Sequence, residues 1–200
     1  SVGRVMETLD KLKLAKDTLV IFTSDNGGFA RATNHAPLRG NKGSYYEGGI
    51  RVPLIIRWPG VAKAGKVNSA PVISMDLYPT CLDAAGLPPH PAQHRDGHNL
   101  RPLLEGEKAL DRDALHWHYP HYNSHPYAVP SSVLRKGDWK LIEAFDPKGI
   151  ELYHLGRDLS ETKNLAKSEP GKLAELRKEL EGWRQTVGAE QMEPNPDHRQ

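Results

Sequence analysis

The sequence has one cysteine, Cys81, among its 200 residues. A single thiol excludes an intrachain disulfide and any multi-cysteine zinc site. Long apolar runs are missing too: nothing approaches the about 20 residues that a membrane-spanning helix requires. Charge of one sign is also lacking, since 27 Lys and Arg against 25 Asp and Glu leave a net +2. That balance argues against a dedicated nucleic-acid binder, which needs a basic face to neutralise phosphates. No signal-peptide pattern opens the chain, and Ser1-Val2-Gly3-Arg4-Val5 reads as the middle of a helix, so the expectation is a piece of a longer protein. Hydrophobic residues, by contrast, make up 38%, enough for a packed core and too many for a fully disordered chain. Sixteen Pro and eighteen Gly, spread along the chain, imply many loops.

Val2, Val5, Met6, Leu9 and Leu12 recur at helical spacing. Leu19-Val20-Ile21-Phe22 follows as a short apolar run, suited to a parallel strand covered on both faces. Helix then buried strand is half of an α/β unit, and polar groups just past such a strand stand where open α/β sheets bind ligands. Val52 to Trp58 is a second strand, with Pro53 at its start or on an edge. Asp76 to Ala85 reads as a helix stopped by Gly86, with Leu77, Thr80, Cys81 and Ala84 on one side, which predicts a buried thiol. From about residue 114 the texture becomes short strands separated by turns, with Lys136-Gly137-Asp138 as a hairpin turn. Leu173, Leu176, Leu180, Trp183 and Val187 then mark one stripe of a helix packed on that small sheet, with Glu175–Lys178 and Arg177–Glu181 pairs on its wet face. The expected division is an α/β core over 1–113 and an α+β subdomain over 114–200.

Chemistry concentrates between Thr23 and Arg51. Asp25 and Asn26 offer a carboxylate and an amide oxygen, the ligands of a hard cation such as Ca²⁺ or Mg²⁺. Read alone, Asp25-Asn26-Gly27 also forms an Asx turn, and residue physics favours the turn. Lys42 stands between glycines in a loop that also carries Arg39; it suits an oxyanion, though a solvated basic loop has the same composition. Glu47 and Arg51 read as an internal ion pair shaping the next turn. His35 lies in the same loop, before Lys42, as a residue that contacts substrate or orients the loop. His116, His118, His121 and His125 are interleaved with aromatics. A ligand-free surface strand and loop comes first for them, sugar contact second, zinc third.

Thr18 to Gly28, Pro37-Leu38-Arg39-Gly40-Asn41-Lys42-Gly43 and Tyr46-Glu47-Gly48-Gly49-Ile50-Arg51-Val52-Pro53 together closely resemble the second half of type I, formylglycine-dependent sulfatases. Weaker similarity continues through Asp76 to Thr80, Asp96 to Leu104, Arg135 to Leu141, Glu151 to Leu155 and Glu161 to Ala166. The resemblance implies an alkaline-phosphatase-like α/β core, here its C-terminal part, followed by a small antiparallel sheet with a packed C-terminal helix. It implies a calcium ion held in part by Asp25 and Asn26, and sulfate-ester binding by Lys42; His35 and Arg39, from their place in the same loop, are read beside it as further substrate contacts. The implied activity is hydrolysis of sulfate monoesters on aryl or carbohydrate substrates, in a periplasmic, secreted or lysosome-like compartment.

The family nucleophile is a formylglycine made from Cys or Ser in a Cys/Ser-x-Pro-x-Arg motif. Cys81 is followed by Leu82-Asp83-Ala84-Ala85, and Ser168-Glu169-Pro170-Gly171-Lys172 ends in Lys, so neither fits. The nucleophile is expected upstream, and the 200-residue chain alone is expected to be inactive. Two other readings accompany this one: a phosphate or phosphonate monoester hydrolase of the same superfamily, and a truncated, non-catalytic binding module.

Overall fold

The computed structural model describes residues 1–122, 125, 128–145 and 149–193. Contacts divide the chain into two compact units, Ser1–Asp25 with Pro53–Arg112, and Asn26–Val52 with Asp113–Gln200. The loop from Asn26 to Val52, which sequence reasoning assigned to residues 1–113, belongs by its contacts to the second unit.

In the first unit, helix α1 (Val2–Lys11) leads to strand β1 (Val20–Thr23). This strand pairs antiparallel with β2 (Leu54–Arg57), Val20 opposite Arg57 and Thr23 opposite Leu54. The apolar run predicted a parallel strand covered on both faces. Instead Phe22 and Ile55 are 46% and 62% exposed, so β-branched composition marks the strand without supplying its cover. Helix α2 (Leu77–Ala84) ends as expected, with Gly86 at a positive φ of 68°. Cys81 on it is exposed, correcting the buried thiol expected from its neighbours. The helix spans little more than two turns, so its spacing pattern did not decide which side faces the unit.

Asp76, just before α2, is fully buried. Its carboxylate accepts from the backbone N–H of Ile73 and of His98, each at 2.9 Å, and pairs with both terminal nitrogens of Arg112. Thr80 extends this hub by donating to the Asp76 carbonyl and accepting from Leu100 N–H. Helix α3 (Arg101–Glu105) is tied to α2 through Arg101, whose Nε donates to Asp83 at 2.6 Å.

The second unit is a four-stranded antiparallel meander: β3 (Ala114–Tyr119), β4 (Ser131–Lys136), β5 (Trp139–Ala144) and β6 (Ile150–His154). The expected hairpin joins β4 to β5, with Lys136 opposite Trp139 and Gly137 at φ 54°. Alternation sends Leu134, Leu141 and Leu152 to one face, where helix α4 (Pro170–Val187) buries Leu176 and Leu180 against them. Arg177, expected to pair lengthwise with Glu181, instead reaches Glu143 on β5 at 3.0 Å, and Arg184 reaches the same carboxylate at 2.8 Å while pairing with Glu181. The other face holds Val133, Ile142 and Tyr153, and it is covered by Tyr45 and Tyr46 from the loop. Among the described residues, no helix is long and apolar enough to cross a membrane.

Candidate functional site

The loop that carries Lys42 is built by backbone packing. Gly27 N–H donates to the Gly49 carbonyl at 2.8 Å, and Gly48 N–H to the Arg39 carbonyl at 2.7 Å. A Cβ on Gly27 would overlap the Gly48 carbonyl, and one on Gly49 the Ser44 carbonyl, so the glycines let three backbone segments touch. Lys42 sits at the tip, between Gly40 at φ 75° and Gly43 at φ 91°. Its N–H donates to the Gly28 carbonyl at 3.1 Å, while the side chain is exposed. Buried Asn41 and Ser44 close the turn beneath it, with Ser44 N–H and hydroxyl both donating to the Asn41 carbonyl.

Below the tip, the loop is bolted to the sheet. Arg39 donates through Nη1 to the Tyr153 hydroxyl and the Glu161 carbonyl, both at 2.8 Å, and lies 3.8 Å from the Tyr46 ring centre. Its guanidinium is thereby engaged within the unit. The Tyr46 hydroxyl donates to Glu151 at 2.7 Å. Glu47 makes the expected ion pair with Arg51, at 3.5 Å, but its stronger partner is Lys140, at 3.0 Å. Lys140 also lies 2.9 Å from Glu161, whose second oxygen accepts from Glu47 N–H at 2.6 Å. Burial pushes the Glu161 carboxyl up, against the pull of Lys140 and of that N–H. Burial also lifts Tyr45 and Tyr153 to about 12, and raises Tyr46 further with help from Glu151. Sequence reasoning missed Lys140, Glu161 and Tyr153. The available signal was strand alternation, which puts Lys140 on the face of Ile142, opposite the helix stripe.

His35 is half-buried, with Nε2 3.0 Å from the Thr33 hydroxyl. That hydroxyl also donates to the Phe29 carbonyl at 2.9 Å. Asp25 is exposed at the end of β1 and Asn26 is half-buried beside it in sequence. Their oxygens are the right kind for Ca²⁺, which takes six to eight. Among the described residues, no group of three or more His, Cys, Asp or Glu is placed to hold a metal. Asp25 and Asn26 supply two such oxygens, fewer than a calcium shell takes.

The strand histidines are occupied otherwise. The His116 ring stacks on Trp183 with centroids 4.6 Å apart, and His118 is bonded to the Ser132 hydroxyl and the Glu190 carbonyl. The His121 ring meets Tyr119 edge-on. His125 differs: a Cβ on Gly43 would collide with its ring, which places the imidazole against the peptide following Lys42.

Residues 1–87 match the family described as Sulfatase. A curated relative named Sulfatase, from Formosa agariphila, is 40% identical over 188 residues, covering 85% of this chain and 34% of its own length. The solved structure of a protein in complex with its substrate D-glucosamine-2-N,6-O-disulfate aligns with a TM-score of 0.77 at 29% identity, over 92% of this chain and 37% of that one. The phosphonate monoester hydrolase SpPMH from Silicibacter pomeroyi aligns at 0.70 with 27% identity, over 92% of this chain and 38% of its own. The chain thus spans about a third of the length of the curated relative, and its fold is the later part of an alkaline-phosphatase-like one.

Proposed function

Because the chain belongs to the sulfatase family, as a portion corresponding to its C-terminal part, we propose that it supplies the sulfate-gripping half of an enzyme that hydrolyses sulfate monoesters. The observation that carries this reading is the Lys42 loop. An exposed ammonium stands at a turn whose two glycines adopt positive φ and whose shoulders are anchored in a buried network. Fixed backbone under a mobile charge suits an anion that must be bound in one orientation.

Lys42 donates to the sulfate and to the bridging oxygen, where negative charge grows as the ester breaks. His35, half-buried in the same loop, contacts the substrate or orients the loop. Arg39, bonded through Nη1 to Tyr153 and Glu161, shapes the loop while the residue stays exposed as a further substrate contact. Asp25 and Asn26 hold calcium, with magnesium as the second candidate, which when bound supplies positive charge against the sulfate oxygens. The chain itself has no Cys/Ser-x-Pro-x-Arg motif to provide the nucleophile. A sulfated carbohydrate is the preferred substrate class, supported by the sulfated sugar held by a structural relative.

The similarity to a phosphonate monoester hydrolase supports a second reading, turnover of phosphorus esters. The complete gene product assayed on 4-nitrophenyl sulfate and 4-nitrophenyl phosphate separates the two. Faster sulfate turnover, lost on chelation with EGTA and restored by Ca²⁺, is expected. Preference for the phosphate, or indifference to chelation, overturns the proposal.

A further inference from the structure

We infer that Glu161 is the positioning residue for Lys42, an inference that rests on the reading of Lys42 as the sulfate contact. Glu161 is fully buried and adopts a φ of 51°, a left-handed conformation unusual for a residue with a side chain. Such a conformation persists only where the surroundings over-determine it, and these outliers cluster at functional sites.

Glu161 holds both shoulders of the Lys42 loop at once. Its carbonyl accepts from Arg39 Nη1 at 2.8 Å, ahead of Lys42. Its carboxylate accepts from Glu47 N–H at 2.6 Å, beyond Lys42, and meets Lys140 Nζ at 2.9 Å. Lys140 then closes the circuit by pairing with the Glu47 side chain at 3.0 Å. The two shoulders are joined directly by the Gly48 N–H to Arg39 carbonyl bond. Every one of these contacts falls inside the second compact unit.

A buried ionic cluster is a poor way to gain stability, since well-packed apolar residues of similar volume often serve as well or better. What it specifies is one arrangement, because each carboxylate oxygen has a single place where its partner stands. The glycines that flank Lys42 offer no side chains to fix the tip itself. The cluster defines it from outside, so the height and direction of Lys42 follow from Glu161.

The test uses the complete gene product with two probes of different leaving group, 4-nitrophenyl sulfate and phenyl sulfate. Lys42 acts on charge at the bridging oxygen, so losing its alignment harms the poorer leaving group more. Glu161→Gln is expected to lower kcat/KM on phenyl sulfate by about tenfold or more and on 4-nitrophenyl sulfate by less, shifting the ratio in the direction that Lys42→Ala shifts it. In the Lys42→Ala background the same change is expected to cost less than about twofold, since coupled residues are non-additive. Tyr153→Phe, which removes one acceptor of Arg39, carries the ratio test if Glu161→Gln does not fold, as judged by its melting transition. An equal loss on both probes, or full additivity with Lys42→Ala, overturns the inference while leaving the role of Lys42 intact. An unchanged kcat/KM for Lys42→Ala alone removes the functional reading and this inference with it.

Discussion

The Nζ of Lys140 lies 3.0 Å from Oε1 of Glu47, and solvent reaches 0% of one side chain and 1% of the other. Glu161 faces the same ammonium at 2.9 Å, so two carboxylates share one buried cation. Replacing the lysine by an apolar side chain of similar length leaves both acids buried without it. Lys140→Met is therefore expected to cost about 3–5 kcal/mol, read as a lower urea midpoint with an unchanged slope.

Burial separates two ion pairs of like chemistry in the first unit. Asp76 is 0% exposed and its partner Arg112 10%, whereas Asp83 and Arg101 stand at 29% and 33%. Arg112→Ala should cost about 3–5 kcal/mol, because the Asp76 charge stays behind in the interior. Arg101→Ala should cost clearly less. Its effect depends on acidity with a definite sign. The hydrogen bond from Arg101, with one from Asn99, holds the Asp83 carboxyl below the usual aspartate range. That contribution is present above the unfolded aspartate value and is lost as pH falls through the depressed folded value. The stability gap between the native protein and Arg101→Ala should close over that acid window.

Three of the seven tyrosines, Tyr45, Tyr46 and Tyr153, have hydroxyls pushed above the ordinary value of 10. A raised folded pKa gives stability that is complete below the unfolded value and lost as pH climbs from there. Titration followed at 295 nm should show these three ionising later than an ordinary tyrosine, Tyr45 and Tyr153 at about 12, or together with unfolding. Ionisation of these three near 10, with the far-ultraviolet spectrum still native, contradicts the packing of the loop on the sheet.

Glycine substitutions divide by what a methyl group would meet. At Gly49 it would overlap the Ser44 carbonyl, and Gly49→Ala should cost about 1–3 kcal/mol or more. At Gly182, inside α4, it meets open space, and Gly182→Ala should stabilise by about 0.5–1 kcal/mol through helix propensity. Thermal melts of the two variants should move in opposite directions.

Elements with a strong local period were legible in the sequence: α1, the β4–β5 turn at Gly137, the helix stripe of Leu176 and Leu180, and the Glu47–Arg51 pair four residues apart. What escaped were relationships over long separations. Lys140 looked like an ordinary polar alternate in Trp139-Lys140-Leu141-Ile142, because nothing local reveals that Glu47 and Glu161 fold over it. The bonds of Arg39 to Tyr153 and Glu161 were hidden for the same reason. The β1 run looked parallel because composition reports hydrophobicity, whereas its partner β2 is antiparallel. Asp25, Asn26 and Lys42 stood out as chemistry-bearing letters in short polar loops, and the resemblance to the sulfatase family, not their spacing, gave them their expected roles.

The central claim is that Lys42 grips the sulfate ester, and Lys42→Ala in the complete gene product tests it most directly. With folding verified by its melting transition, kcat/KM on 4-nitrophenyl sulfate should fall more than tenfold, since a charge contact made in the transition state is worth more than about 1.4 kcal/mol. A fall of less than tenfold would contradict the account.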